Sequence, residues 1–278
     1  MKRCLMNYDE FSTVVKNEHK YRTSEDVLKV CKKNFLFRFD FWFYICLLKV
    51  VWDCSKLSKN GKLDHREWAC QSLRMFQLVE RAGTKVSVEG IENLEIMRDG
   101  PCVLVSNHMS IMEPAMFPCI FLNYGFGTYV LKESLINYPY FKNVLGAIDP
   151  IAVKRKNPRE DLKVVLTEGL KKLNSGTSLV IFPQSTRSVV LDKAKFNTLG
   201  HKLASRANVP VIPVAIKTDF FGKGKIVNDL SKIDRSKDVF IKFGEPIYNV
   251  ADDSKGAHDK TFRFIADSYR SWGGEVEE

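Results

Sequence analysis

The strongest constraint on this chain is a set of short apolar runs beginning at Val86. Val86–Gly90, Cys102–Ser106, Ser178–Phe182, Val211–Ile216 and Val239–Phe243 are each four to six residues long, too short for buried helices. Helical patterns fill the gaps at about 113–122, 158–174 and 197–207. Strands alternating with helices need crossover connections, so the pattern predicts an α/β fold with a mostly parallel central sheet flanked by helices. Such a sheet places its chemistry beyond the carboxyl ends of its strands. The chain has 278 residues, 45% of them hydrophobic, enough for one large domain and a modest appendage.

The appendage is expected upstream. Residues 1–27 read as a polar lead-in, with a short helix or little order and no apolar run typical of a signal peptide. Residues 28–83 read as a two-helix membrane-docking hairpin, and 84–278 as the α/β domain. Asn34–Trp52 packs eight aromatic residues into nineteen positions but carries Arg38, Asp40 and Lys49. Charges near the middle make it a poor membrane span. An interfacial or re-entrant helix suits it; a buried core helix and, from the alternation at Leu36–Asp40, a strand are the other readings. Asn60-Gly61 breaks the chain. Asp64 then resembles an N-cap with Glu67 as its capping-box partner, opening a helix to Arg81 that ends before Gly83.

The net charge of +10 suits an anionic partner. The cations are scattered, and no nucleic-acid motif accompanies them, which favours an anionic membrane surface over nucleic acid. Seven cysteines form no CxxC pair and no zinc-like cluster, so free thiols are expected and no metal.

Four stretches carry candidate chemistry. Ser106–Pro114 places His108 and Glu113 on a strand-to-helix turn, where a carboxylate can orient an imidazole as a base. Phe182–Ser188 follows another strand and offers Gln184, Ser185, Thr186 and Arg187, a turn suited to a phosphate or, on the bland reading, a solvated polar turn. Gly146–Arg155 ends in adjacent cations and reads by itself as a loop and short strand with solvated charges. Val209–Ile216 contains Pro210 and Pro213; Pro213 implies a sheet edge, a bulge or a strand end.

In this order, over roughly 85–220, the four stretches resemble the glycerolipid acyltransferase superfamily, nearest to the lysophosphatidic acid (1-acylglycerol-3-phosphate) acyltransferases. The family pattern is Asn-His-x-x-x-x-Asp, Gly-x-Ile with a later Arg, Phe-Pro-Glu-Gly-Thr-Arg-Ser, and Val-Pro-Val-x-Pro-Val. The resemblance implies an O-acyltransferase with His108 as general base and Glu113 orienting it. Arg155 and Arg187 would hold the acceptor phosphate, with Gln184, Ser185, Thr186 and Lys195 as further acceptor contacts. It implies a lysophospholipid acceptor, best 1-acylglycerol-3-phosphate, and an acyl coenzyme A or acyl carrier protein donor as co-substrate, with no cofactor. It also implies a peripheral or monotopic enzyme on the cytoplasmic membrane face. Two departures bear on activity. Glu113 stands where the family has Asp, and Gln184-Ser185 where it has Glu-Gly. Acylation of another lysolipid, or a silent lipid-binding relative, are the alternatives these leave.

Overall fold

A computed structural model describes residues 5–136, 141–184, 186–222 and 231–278. The lead-in contains an ordered helix, α1 (Tyr8–Glu18), started by a capping box between Asn7 and Glu10. A two-residue strand β1 (Tyr21–Arg22) and helix α2 (Glu25–Lys33) follow.

The aromatic run is not one helix. Phe35–Arg38 forms a 3₁₀ turn, and α3 (Asp40–Lys59) begins after it. Asn60-Gly61 reverses the chain into α4 (His65–Arg81). Asp64 caps α4 by accepting from the Glu67 amide at 2.7 Å. The Glu67 carboxylate accepts from Gln71 Nε2, so it braces the next turn rather than closing the expected box. α3 buries Phe43, Leu47, Val50, Val51 and Cys54 and leaves Phe41, Ile45, Leu48 and Trp52 exposed. Those four recur at helical spacing and form one apolar face. Phe35, Leu36 and Phe39 extend it. The central charges are handled locally: Asp40 pairs with Arg235 at 2.6 Å, and Asp53 binds Lys49 and, from α4, Arg74. No helix among the described residues is long and apolar enough to cross a membrane.

The α/β part opens with β2 (Val86–Glu89), a 3₁₀ segment, and β3 (Val103–Ser106). The helix expected at 113–122 is broken into α5 (Met112–Met116) and α6 (Pro118–Phe121) around Pro118. Next come β4 (Gly127–Lys132), α7 (Glu133–Ile136), α8 (Phe141–Ala147), β5 (Ile151–Val153) and α9 (Pro158–Asn174). Then follow β6 (Ser178–Ile181), β7 (Val190–Asp192), α10 (Leu199–Ala207), β8 (Val211–Lys217), β9 (Val239–Phe243), α11 (Ser254–Ser271) and β10 (Glu275–Glu277).

The main sheet has the order β1-β2-β9-β8-β3-β6-β4-β5. β8, β3, β6, β4 and β5 run parallel; β9 is antiparallel to β8, and β2 is parallel to β9. β7 and β10 form a separate parallel pair. The fully buried β3, β6 and β8 explain why their sequences are continuous apolar runs. Pro213 sits inside β8, between β3 and β9, not at an edge. Its carbonyl accepts from Gly244 just past the end of β9, so its missing donor falls at the last rung of that ladder. Gly200 lets α10 close on β3: a Cβ there would meet Val105 at 2.7 Å.

α10 and α11 share a buried polar contact. Thr261 Oγ1 donates to the Ala257 carbonyl, so it accepts from His201 Nε2 at 2.9 Å. His201 Nδ1 is then a lone pair facing His258 Nδ1 at 3.3 Å. Burial, with His258 beside it, pushes His201 down to about 4.

Candidate active site

The parallel strands set the site. Since β3, β6, β8, β4 and β5 all point the same way, their carboxyl ends share one edge of the sheet. The first and third motifs leave the sheet at that edge, the second ends there past β5, and the fourth is β8 itself, which runs to it. In space they are not in chain order: the first motif follows the central β3, the third and fourth flank it on β6 and β8, and the second lies farthest out on β5.

The backbone pairing of β3 with β8 ends at Ser106 and Val214. Asn107 continues it with its side chain. Its Nδ2 donates to the Ile216 carbonyl and its Oδ1 accepts from the Ile216 amide, both at 2.9 Å. This amide staple fixes the residue before His108 to the neighbouring strand.

His108 Nδ1 lies 3.0 Å from Glu113 Oε2. Glu113 is fully buried at the start of α5. Its other oxygen, Oε1, accepts from the Ser110 amide at 2.7 Å, from Ser110 Oγ at 2.8 Å and from Thr218 Oγ1. An ionised carboxylate only accepts, so four donors converging on it replace the water it has lost. The ring proton of His108 therefore resides on Nδ1, and Nε2 carries the lone pair. The longer Glu side chain in place of the family's Asp is accommodated by this cradle. Ser110 Oγ also accepts from the Met112 amide, so the hydroxyl is committed to the turn.

The His108 ring stacks on Phe182 at 4.3 Å between centroids, and Phe182 in turn lies parallel to Tyr129. The Ser188 amide donates to the His108 carbonyl at 2.9 Å. The first and third motifs are thus held together by a ring contact and a backbone bond.

The remaining candidates are placed unevenly. Gln184 is buried, and its Nε2 donates to the Val190 carbonyl at 3.0 Å, bracing its own loop. Thr186 is exposed and Arg187 half-buried in the turn beside His108. Ser185 lies outside the described residues. Lys195 is exposed and pairs with Asp192 at 2.7 Å in a 3₁₀ turn beyond β7. Arg155 is exposed just past β5 with a left-handed backbone (φ 54°). Three strand intervals separate β5 from β3, about 14 Å at ordinary spacing, so Arg155 faces the outer end of the edge. No group of three metal-ligating side chains occurs among the described residues.

Sequence reasoning did not assign Asn107, Thr218 or Phe182. Thr218 had one available signal: it stands two residues past the apolar run 211–216, where a parallel strand must deliver it to the same edge as His108.

Residues 85–217 match the acyltransferase family model. The match takes in just under half of the chain and includes all four motif stretches. The chain is 35% identical over 134 residues to a 1-acyl-sn-glycerol-3-phosphate acyltransferase of Pseudomonas aeruginosa, covering 48% of this chain and 50% of that protein. A chloroplast 1-acyl-sn-glycerol-3-phosphate acyltransferase of Brassica napus is 28% identical over 182 residues, 65% of this chain and 48% of the relative. The chain thus spans about half the length of these curated relatives. The crystal structure of the acyltransferase PlsC from Thermotoga maritima shares the fold, with a TM-score of 0.62 at 20% identity, over 88% of this chain and 97% of that one.

Proposed function

We propose that this chain transfers a fatty acyl group from a thioester to the free hydroxyl of 1-acylglycerol-3-phosphate, giving phosphatidic acid. The observation that carries the reading is the His108–Glu113 pair, with a lone pair on Nε2, at the sheet edge where the third motif also emerges. His108 Nε2 takes the hydroxyl proton as the oxygen attacks the thioester carbon. Glu113 stabilises the imidazolium that forms. The tetrahedral intermediate expels the thiolate, and His108 returns the proton to that sulfur. No acyl-enzyme is required. Arg187, beside His108, binds the acceptor phosphate; Arg155 lies farther along the edge, where a headgroup or the donor's own phosphates would pass. The relatives named for this same reaction support the choice of acceptor. Acyl coenzyme A and acyl carrier protein present the same thioester.

Both substrates are amphiphilic, and the exposed face of α3 suits a membrane surface. We place that face at the cytoplasmic leaflet, with the net positive charge drawn to anionic lipid. The test is thiol release from a long-chain acyl coenzyme A or acyl carrier protein, with and without lysophosphatidic acid. Release should require the lysolipid and fall at least ~100-fold in His108→Ala. Lysolipid binding without thiol release from any donor would overturn the reading in favour of a silent lipid binder.

A further inference from the structure

A cavity of about 260 Å³ lies away from His108, and its chemistry is one-sided. It is walled by the ends of α2 and α4 and by the 3₁₀ turn before α3. Lys32, Arg38, Arg81 and Arg235 all line it, and among the described residues no carboxylate does. No ion pair is found for Lys32, Arg38 or Arg81 among the described residues, and all three are exposed. Arg235 is held rigidly. Its Nε donates to the Phe37 carbonyl at 3.0 Å, and its Nη1 to Asp40 at 2.6 Å and to the Ile233 carbonyl at 3.2 Å. Its Nη2 is buried with no partner among the described residues. A charged donor left unmet in a fixed position is costly unless something accepts from it.

Cations at helix C-termini have an ordinary explanation, compensation of the helix dipole, and three helical segments end here. Each full helix brings about −0.5 of an elementary charge at its C-terminus, and a four-residue 3₁₀ turn less. That totals under about −1.5, whereas the four cations less the Asp40 carboxylate leave a formal +3. Compensation therefore uses only part of the charge.

The position narrows the ligand. Arg38 shares its turn with the exposed Phe35 and Leu36, and Phe39 follows at once, all on the apolar face assigned to the membrane. The chain leaves Gly83 for β2 and Arg235 for β9, and both strands run opposite to β8. The cavity therefore opens at the same sheet edge as His108, but at β2, three strand intervals or about 14 Å from β3. A group here would sit at headgroup depth beside, and not within, the reaction centre.

We propose that this cavity binds the phosphate headgroup of an anionic membrane phospholipid that is not the substrate. The proposal rests on the membrane-docking reading of the α3 face. Arg235 Nη2 supplies the fixed donor, and Lys32, Arg38 and Arg81 close around the phosphate oxygens.

The experiment is co-sedimentation of the full chain with phosphatidylcholine vesicles, with and without phosphatidylglycerol. Arg38→Gln with Arg81→Gln removes two exposed cations of the cavity; Lys56→Gln with Lys59→Gln removes two exposed cations of α3 as a control. Binding to pure phosphatidylcholine should be the same in all three proteins. The gain from phosphatidylglycerol should drop at least ~10-fold further in the cavity variant than in the control, since a diffuse surface field would weigh all cations alike. Equal losses in the two variants would overturn the site while leaving membrane docking intact. Failure of the unmodified chain to bind either vesicle would overturn the docking reading itself. His108→Ala should keep the full gain, which separates this site from the catalytic proposal.

Discussion

Replacing Glu113 by Gln changes almost no volume and removes one charge, so its effect can be worked from the four donors around it. Oε1 accepts from three of them, one being the Ser110 backbone amide, which cannot reverse. The Gln oxygen must stay there, which turns its NH₂ toward His108 Nδ1. The imidazole then keeps its proton on Nε2 and loses the lone pair that the reaction needs. The wrong tautomer and the loss of imidazolium stabilisation together should lower kcat by ~10²–10⁴, or about 3–5 kcal/mol of barrier. KM for the lysolipid should change little, because Glu113 is buried beneath the site. Glu113→Asp withdraws the carboxylate by about one C–C bond, ~1.5 Å, so it must leave either His108 or the Ser110–Thr218 cradle. It should fall between the two. The assay is thiol release against lysophosphatidic acid, on protein whose melting curve matches the parent. E113Q within a few-fold of the parent would refute the tautomer argument and with it the role of His108 as base.

Other outcomes follow from the same contacts. Thr218→Val removes one donor from Oε1 and should lower kcat by ~5–50-fold without moving KM, while Thr218→Ser should restore most of it; unchanged steady-state rates in the Val variant would assign Thr218 to packing alone. Replacing Phe41, Leu48 and Trp52 by Ser removes exposed apolar area, worth roughly 1.5–3 kcal/mol per side chain if buried in lipid, so vesicle binding should fall at least ~100-fold with circular dichroism unchanged. His201 is held neutral by burial, its folded pKa near 4 against about 6.5 unfolded. The unfolded state then binds the proton more tightly, so stability should be flat above about pH 6.5 and drop by on the order of 3 kcal/mol as the pH falls to about 4. Melting temperatures across that range, beside His201→Gln, would show the slope reduced in the variant.

The central strands were legible because β3, β6 and β8 are buried on both faces, and only continuous apolar runs satisfy that environment. β4 and β7 were not, and β5 showed only as a short strand after the loop at 146–155. Gly127–Lys132 mixes small, aromatic and charged residues, and the three-residue β5 and β7 exist only through their partners. The pairing of His108 with Glu113 was legible from order and spacing, but its support was not. Asn107 and Thr218 act through contacts 109 and 105 residues away, which no local pattern encodes. The Gln184 motif position was evident too, yet its bond to Val190 depends on how the loop folds back. Likewise the aromatic run signalled an apolar surface, while its split at Phe39 into a 3₁₀ turn and a helix reflects Asp40 reaching Arg235 across the fold.

The Asn107 staple also has a dynamic consequence. It lies on the Ile216 amide in the innermost part of the sheet, between strands that open only when the domain unfolds. The Ile216 amide should exchange with deuterium as slowly as the centre of β3. His108 is thereby tied to the stiffest ground in the protein, and any opening at this edge falls to the exposed residues around Thr186 and Val189, whose amides should exchange orders of magnitude faster.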